Sequence, residues 1–187
     1  MVPLRSRGIR SLTLLATLLA GLASADIPMQ PALSAERLET GNTLIAVGGS
    51  SAPGGGLVIE VDSLGRLVWA CVRSDILWTH SARRLAGGNT LITATLGDRV
   101  IEVEPNGTIA WEFANGLSYP NEAFRLATGN TLITDRDNDR VVEVDPGGNV
   151  VWSYTNLIAP HSGSRLPDGN TLISMGWESV HLWRAAP

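Results

Sequence analysis

Between Glu122 and Tyr154 apolar and polar positions alternate in four short bursts, 122–126, 131–135, 140–145 and 149–154, each rich in β-branched residues. Period-2 alternation of this length predicts strands with one face buried. The gaps hold Thr128-Gly129-Asn130, Asp137-Asn138-Asp139 and Pro146-Gly147-Gly148, residue types that tolerate positive φ and bond their own backbone in tight hairpins. The same pattern returns along the chain. RLETGNTLIA begins at Arg37, RLAGGNTLIT at Arg84, RLATGNTLIT at Arg125 and RLPDGNTLIS at Arg165, with the glycines Gly41, Gly88, Gly129 and Gly169 spaced 47, 41 and 40 residues apart. The first three copies continue into VIEVDSLGRLVW, VIEVEPNGTIAW and VVEVDPGGNVVW, so that Gly65, Gly107 and Gly148 each stand four residues before Trp69, Trp111 and Trp152. No segment after residue 25 carries a helical stripe.

Four antiparallel strands in a repeat of about 41 residues predict an all-β fold, a β-propeller of about four four-stranded blades, small or partial. The three tryptophans fall at equivalent places on the fourth strand, where a large flat side chain fills the gap between neighbouring blades. The fourth copy stops after three strands, at 164–166, 171–174 and 179–184. A sixteenth strand from Ile27 to Leu33 would close the ring. The other two arrangements are a fragment of a larger propeller and an open arc that completes itself by oligomerising.

Residues 1–25 are expected to be an export signal: Arg5, Arg7 and Arg10, an apolar run from Leu12 to Leu22, then Ala23-Ser24-Ala25 as the cleavage site. The propeller domain then occupies 26–187, in a periplasmic or secreted chain whose mature part has no membrane span. Eleven arginines against 18 acidic residues leave it clearly negative, which argues against a nucleic-acid partner. No lysine is present for Schiff-base chemistry, and Cys71 stands alone, so no internal disulfide forms. Asn106-Gly107-Thr108 matches a glycosylation sequon but coincides with a blade turn.

GNTLI followed by RVVEVDPGGNVVW resembles the blades of arylsulfotransferase-type propellers, and less closely pyrroloquinoline quinone-type and NHL-type blades. The resemblance covers nearly all of residues 33–187. Asp62 to Gly65 and Asp145 to Gly148 are three apart where the quinone motif has four, so no quinone or other cofactor is expected. The resemblance to arylsulfotransferases implies a channel histidine that takes a sulfuryl group from an aryl donor, with arginine and polar side chains around it. That family's ring has six blades, so this shorter chain would share the chemistry in reduced or oligomeric form.

Counting from the repeat glycine locates the candidate chemistry. Eight residues before it stand Leu33, His80, Asn121 and His161, at the start of the first strand and nearest the channel. His80 and His161 are the candidate nucleophiles, and Asn121 a candidate ligand-binding residue. Four before the glycine every copy carries arginine: Arg37, Arg84, Arg125 and Arg165. In an unbroken strand these offsets share a face, yet four residues separate histidine from arginine by about 13 Å. Glu60, Glu102 and Glu143 on the third strands are expected to pair with the arginines inside each blade. In the fourth copy Val180-His181-Leu182 stands where Val-Glu-Val stands elsewhere, which would free Arg165 for an anion with His181 beside it. Asp135, Asp137 and Asp139 alternate as in a calcium loop but lack its glycine and distal glutamate, so a solvated hairpin is expected. A small anionic or aryl ligand at the channel, with possible homo-oligomer formation, is one expectation; a non-catalytic scaffold binding a protein partner is the other.

Overall fold

The computed structural model describes residues 32–48, 56–176 and 182–185. The expected export signal and His181 lie outside the described residues. The chain builds successive antiparallel sheets, each ordered as its strands occur in sequence. Blade one is β1 (Ala32–Arg37), β2 (Thr43–Val47), β3 (Gly56–Val61) and β4 (Leu67–Arg73). Blade two is β5 (Thr79–Arg84), β6 (Thr90–Ala94), β7 (Arg99–Val103) and β8 (Ile109–Phe113). Blade three is β9 (Pro120–Arg125), β10 (Thr131–Asp135), β11 (Arg140–Val144) and β12 (Val150–Tyr154). Blade four, among the described residues, is β13 (Pro160–Arg165), β14 (Thr171–Met175) and β15 (Leu182–Ala185). No helix among the described residues is long and apolar enough to cross a membrane.

Neighbouring blades pack face to face, so that blades two and three are covered on both sides, and the repeat writes both faces. Leu44, Val58 and Cys71 of blade one meet Ala82, Ile92 and Ile101 of blade two. Leu91, Val100 and Phe113 of blade two meet Ala123, Ile133 and Val142 of blade three. Leu132 and Val141 of blade three meet Ile173 of blade four. The small residue six before the glycine lies against the neighbouring sheet: a Cβ on Gly163 would already stand in van der Waals contact, 3.5 Å from Thr134 and 3.6 Å from Val141 of blade three.

The arginines latch these joints, and here the expected pairing is corrected. Arg84 reaches back to Glu60 (2.6 Å), Arg125 to Glu102 (2.6 Å) and Arg165 to Glu143, so each pair crosses a blade boundary. Each guanidinium also lies over the preceding blade's tryptophan, 4.7, 4.9 and 4.8 Å from Trp69, Trp111 and Trp152. The glutamate's own blade supplies an asparagine instead: Asn42 donates to Glu60, Asn89 to Glu102 and Asn130 to Glu143. The geometry follows from register. Glutamate and tryptophan sit directly opposite on the third and fourth strands, as Glu102 and Trp111 do, presenting a carboxylate and a ring side by side to the incoming arginine. Arg165 is therefore engaged, and the expectation that it lacks a partner is overturned. The register also differs from the expectation for blade four: Leu172 pairs with Arg184, the position held by Glu143 opposite Leu132.

The described residues form an open arc. Ala35 is exposed where Ala82 is 4 % and Ala123 1 % exposed, and Ile45 is half-buried where Ile92, Ile133 and Ile173 are at 0 %. Among the described residues nothing therefore covers the outer face of blade one as blades two and three are covered. Among the described residues Arg37 bonds Thr43 of its own blade and no acid of another. Of the expected closing strand, Ala32 and Leu33 belong to β1, paired with β2, and residues 27–31 lie outside the described residues.

Candidate functional site

All four first strands begin with the same irregularity. Ala32 pairs with Val47 and Ser34 with Ala46; Thr79 with Ala94 and Ser81 with Thr93; Pro120 with Asp135 and Glu122 with Thr134; Pro160 with Met175 and Ser162 with Ser174. Leu33, His80, Asn121 and His161 are the extra residues of four β-bulges. A bulge interrupts the period-2 alternation and re-aims its side chain. The expectation that these residues share a face with the small residue and the arginine is thus corrected, because the strand is broken between them. The arginine latch lies at the opposite end of the strand.

The chain enters β5, β9 and β13 through a left-handed residue: Trp78 (φ 53°), Tyr119 (φ 52°) and Ala159 (φ 44°). Ahead of β9 and β13 the turn between the second and third strands of the preceding blade holds it there. The Tyr119 amide donates to the Asp98 carboxylate (2.8 Å) and the Ala159 amide to that of Asp139 (3.0 Å). Asp135, buried, accepts from the Ser118 amide, Asn138 and Arg140. All three aspartates of the alternating run are committed to structure or to Arg136, and among the described residues no three histidine, cysteine or acidic side chains are grouped to hold a metal.

The bulges bring His80 and His161, 81 residues apart in sequence, together from alternate blades. Their ring centres are 5.2 Å apart with planes at 72°. They line a cavity of about 180 Å³ with Leu33, Ser34, Ser81, Glu122 and Ser162. His161 is exposed and His80 half-buried. Ser81 shares a 2.9 Å hydrogen bond with Thr93, and Glu122 binds Arg83 at 2.5 Å. Asn121 does not line this cavity: it is 2 % exposed, and its side-chain oxygen has no hydrogen-bond partner. Arg165, latched to Glu143, is not part of the mouth.

Burial holds the His80 pKa below the ordinary histidine value, and the neighbouring His161 and, more weakly, Arg136 act the same way. A hydrogen bond with the Asn121 backbone and the charge of Glu122 oppose them without reversing the direction. His80 is therefore neutral at pH 7, with a nitrogen lone pair available. Because the unfolded chain takes up this proton more readily than the folded one, stability falls as pH drops below about 6.5. Thermal unfolding between pH 7 and 5 is expected to show Tm falling with pH, and His80→Gln is expected to flatten the slope. An unchanged slope in the variant would contradict the assignment.

Sequence reasoning found both histidines and missed Glu122 and the three serines. The signal was one residue away, since Ser34, Ser81, Glu122 and Ser162 all stand seven before the repeat glycine.

No family model and no curated protein matches this chain. Solved structures do. A protein of unknown function from Bacteroides caccae is 19 % identical, with TM-score 0.61, over 85 % of this chain and 62 % of its own. A catalytically inactive histidine-to-alanine variant of virginiamycin B lyase from Staphylococcus aureus, with quinupristin, is 11 % identical, with TM-score 0.64, over 87 % and 58 %. The WD40 β-propeller domain of Doa1 is 13 % identical, with TM-score 0.62, over 78 % and 47 %. These likenesses establish the β-propeller fold. The chain spans about three fifths of the length of the first two.

Proposed function

We propose that this is an exported propeller that binds a small anionic or aryl ligand at the axial mouth, between His80 and His161. The single observation that carries the reading is the pairing of two imidazoles from alternate blades across a shared cavity. At about 180 Å³ the cavity is below the usual range for whole ligands, roughly 300–1,000 Å³, so it suits one small group while the remainder of the ligand stays at the surface. Serine hydroxyls and imidazole N–H groups supply donors to an oxyanion there.

The resemblance to arylsulfotransferases supplies the reaction to test. The neutral His80 nitrogen would form a bond to sulfur while the bond from sulfur to the aryl oxygen breaks, its electron pair leaving with the phenolate. An acceptor hydroxyl would then take the sulfuryl group and release its proton to the departing imidazole. That a propeller of this shape, virginiamycin B lyase, has a catalytically inactive histidine-to-alanine variant supports looking for chemistry at a histidine. Calorimetric titration of 4-nitrophenyl sulfate into the mature chain is expected to give saturable binding that His80→Ala and His161→Ala each weaken. Release of 4-nitrophenol in the presence of an acceptor phenol would establish transfer, and binding without release would leave a binding module. Absence of binding would overturn the ligand reading.

A further inference from the structure

We propose that His80 and His161 together ligate one divalent transition-metal ion, of the zinc, nickel or copper class, at the axial mouth. A metal to imidazole-nitrogen bond is about 2.0 Å, which places the ring centre about 3.2 Å from the ion, so two rings subtending a tetrahedral angle have centres about 5.2 Å apart. The separation of the His80 and His161 rings is 5.2 Å. The spacing is built in by the fold, because each ring stands on a bulge at the start of an innermost strand, β5 or β13.

The donor set fixes the class. Imidazoles without thiolates suit borderline ions such as zinc, nickel and copper, whereas calcium and magnesium want oxygen ligands. With no third histidine, cysteine or acidic residue grouped for direct ligation among the described residues, the ion takes two ligands from them and fills the rest of its shell with water or an exogenous donor. Ser34, Ser81 and Ser162 line the cavity where such waters would sit, and Glu122, held by Arg83, stands as an outer-shell acceptor. Outer-shell partners of this kind tune affinity without ligating. The inference goes beyond the ligand reading and does not depend on it.

The test is calorimetric titration of zinc chloride, and separately of nickel chloride, into chelator-stripped mature chain. One ion per chain is expected. Loss of an outer-shell group alone costs about 10- to 100-fold in affinity, so His80→Ala and His161→Ala are each expected to weaken binding by about 100-fold or more, and Glu122→Gln by less. Thermal melts establish that each variant is folded. Electron paramagnetic resonance of the copper(II) complex supplies a second readout, with coupling to two imidazole nitrogens in the native chain and to one in either histidine variant. No binding by the native chain, or affinity within about threefold of native in a folded histidine variant, would overturn the proposal. Aryl sulfate binding measured with chelator present reports on the ligand reading alone, so the two can fail separately.

Discussion

Glu102→Ala is expected to cost about 3 kcal/mol, lowering Tm by roughly 6–12 °C in a domain of this size. The carboxylate serves two blades at once, receiving Asn89 of its own at 2.6 Å and Arg125 of the next at 2.6 Å. Both members of the Arg125–Glu102 pair are largely shielded, at 18 % and 17 % side-chain exposure. Removing the acid therefore leaves a partly desolvated guanidinium over Trp111 with no counter-charge. Glu102→Gln keeps an oxygen for Asn89 and is expected to fall between native and alanine. Asp137→Asn breaks the exposed pair with Arg136 and is expected to cost under about 1 kcal/mol. Chemical denaturation of the three variants measures the order. Equal costs for Glu102→Ala and Asp137→Asn would show that the latch contributes no more than a surface ion pair.

Ile133→Ala is expected to cost about 3–4 kcal/mol, and the equivalent Ile45→Ala clearly less. Both isoleucines stand four residues after a repeat glycine, on the second strand, so the substitution and the local backbone match. Their surroundings differ. Ile133 is at 0 % exposure between blades two and three, packed with Leu91, Val100 and Val142, whereas Ile45, among the described residues, packs within blade one. Truncating a side chain closed in on all sides removes its transfer free energy and leaves a cavity, while a half-buried one leaves a dent that water fills. Equal costs at the two positions would mean that another polypeptide surface covers blade one in solution.

Most of the fold was legible because a propeller repeats its packing problem. The spacing of glycine and tryptophan gave strand number, hairpin turns and the interblade place of Trp69, Trp111 and Trp152. What the sequence hid was direction. Period-2 alternation says that arginine and glutamate both leave a strand face, but not which neighbour each face meets, and so Arg84 was expected to pair with Glu102 inside its own blade when it reaches Glu60 of the blade before. The candidate site was legible to the same depth. The offset of eight residues picked out His80 and His161, yet a bulge leaves no mark in an alternating pattern, and only the bulges explain how residues 81 positions apart come to face each other. Arg165 and Asn121 share the ruler but not the destination, the first committed to Glu143 and the second turned into the protein interior. In blade four the strand Leu182–Ala185 sets Arg184 across from Leu172, a register that the match of Val-His-Leu to Val-Glu-Val missed.

The account rests on the two imidazoles acting as one site, and side-chain nitrogen NMR of the histidines tests this most directly. The chain has three histidines, so His80→Gln and His161→Gln assign the two signals of interest. On titration with 4-nitrophenyl sulfate in the presence of chelator, the account predicts that the His80 and His161 signals move together and saturate with one affinity, and that in either variant the remaining ring shifts only at higher ligand concentration. Signals that stay in place, or that move independently with different affinities, would contradict a shared axial site.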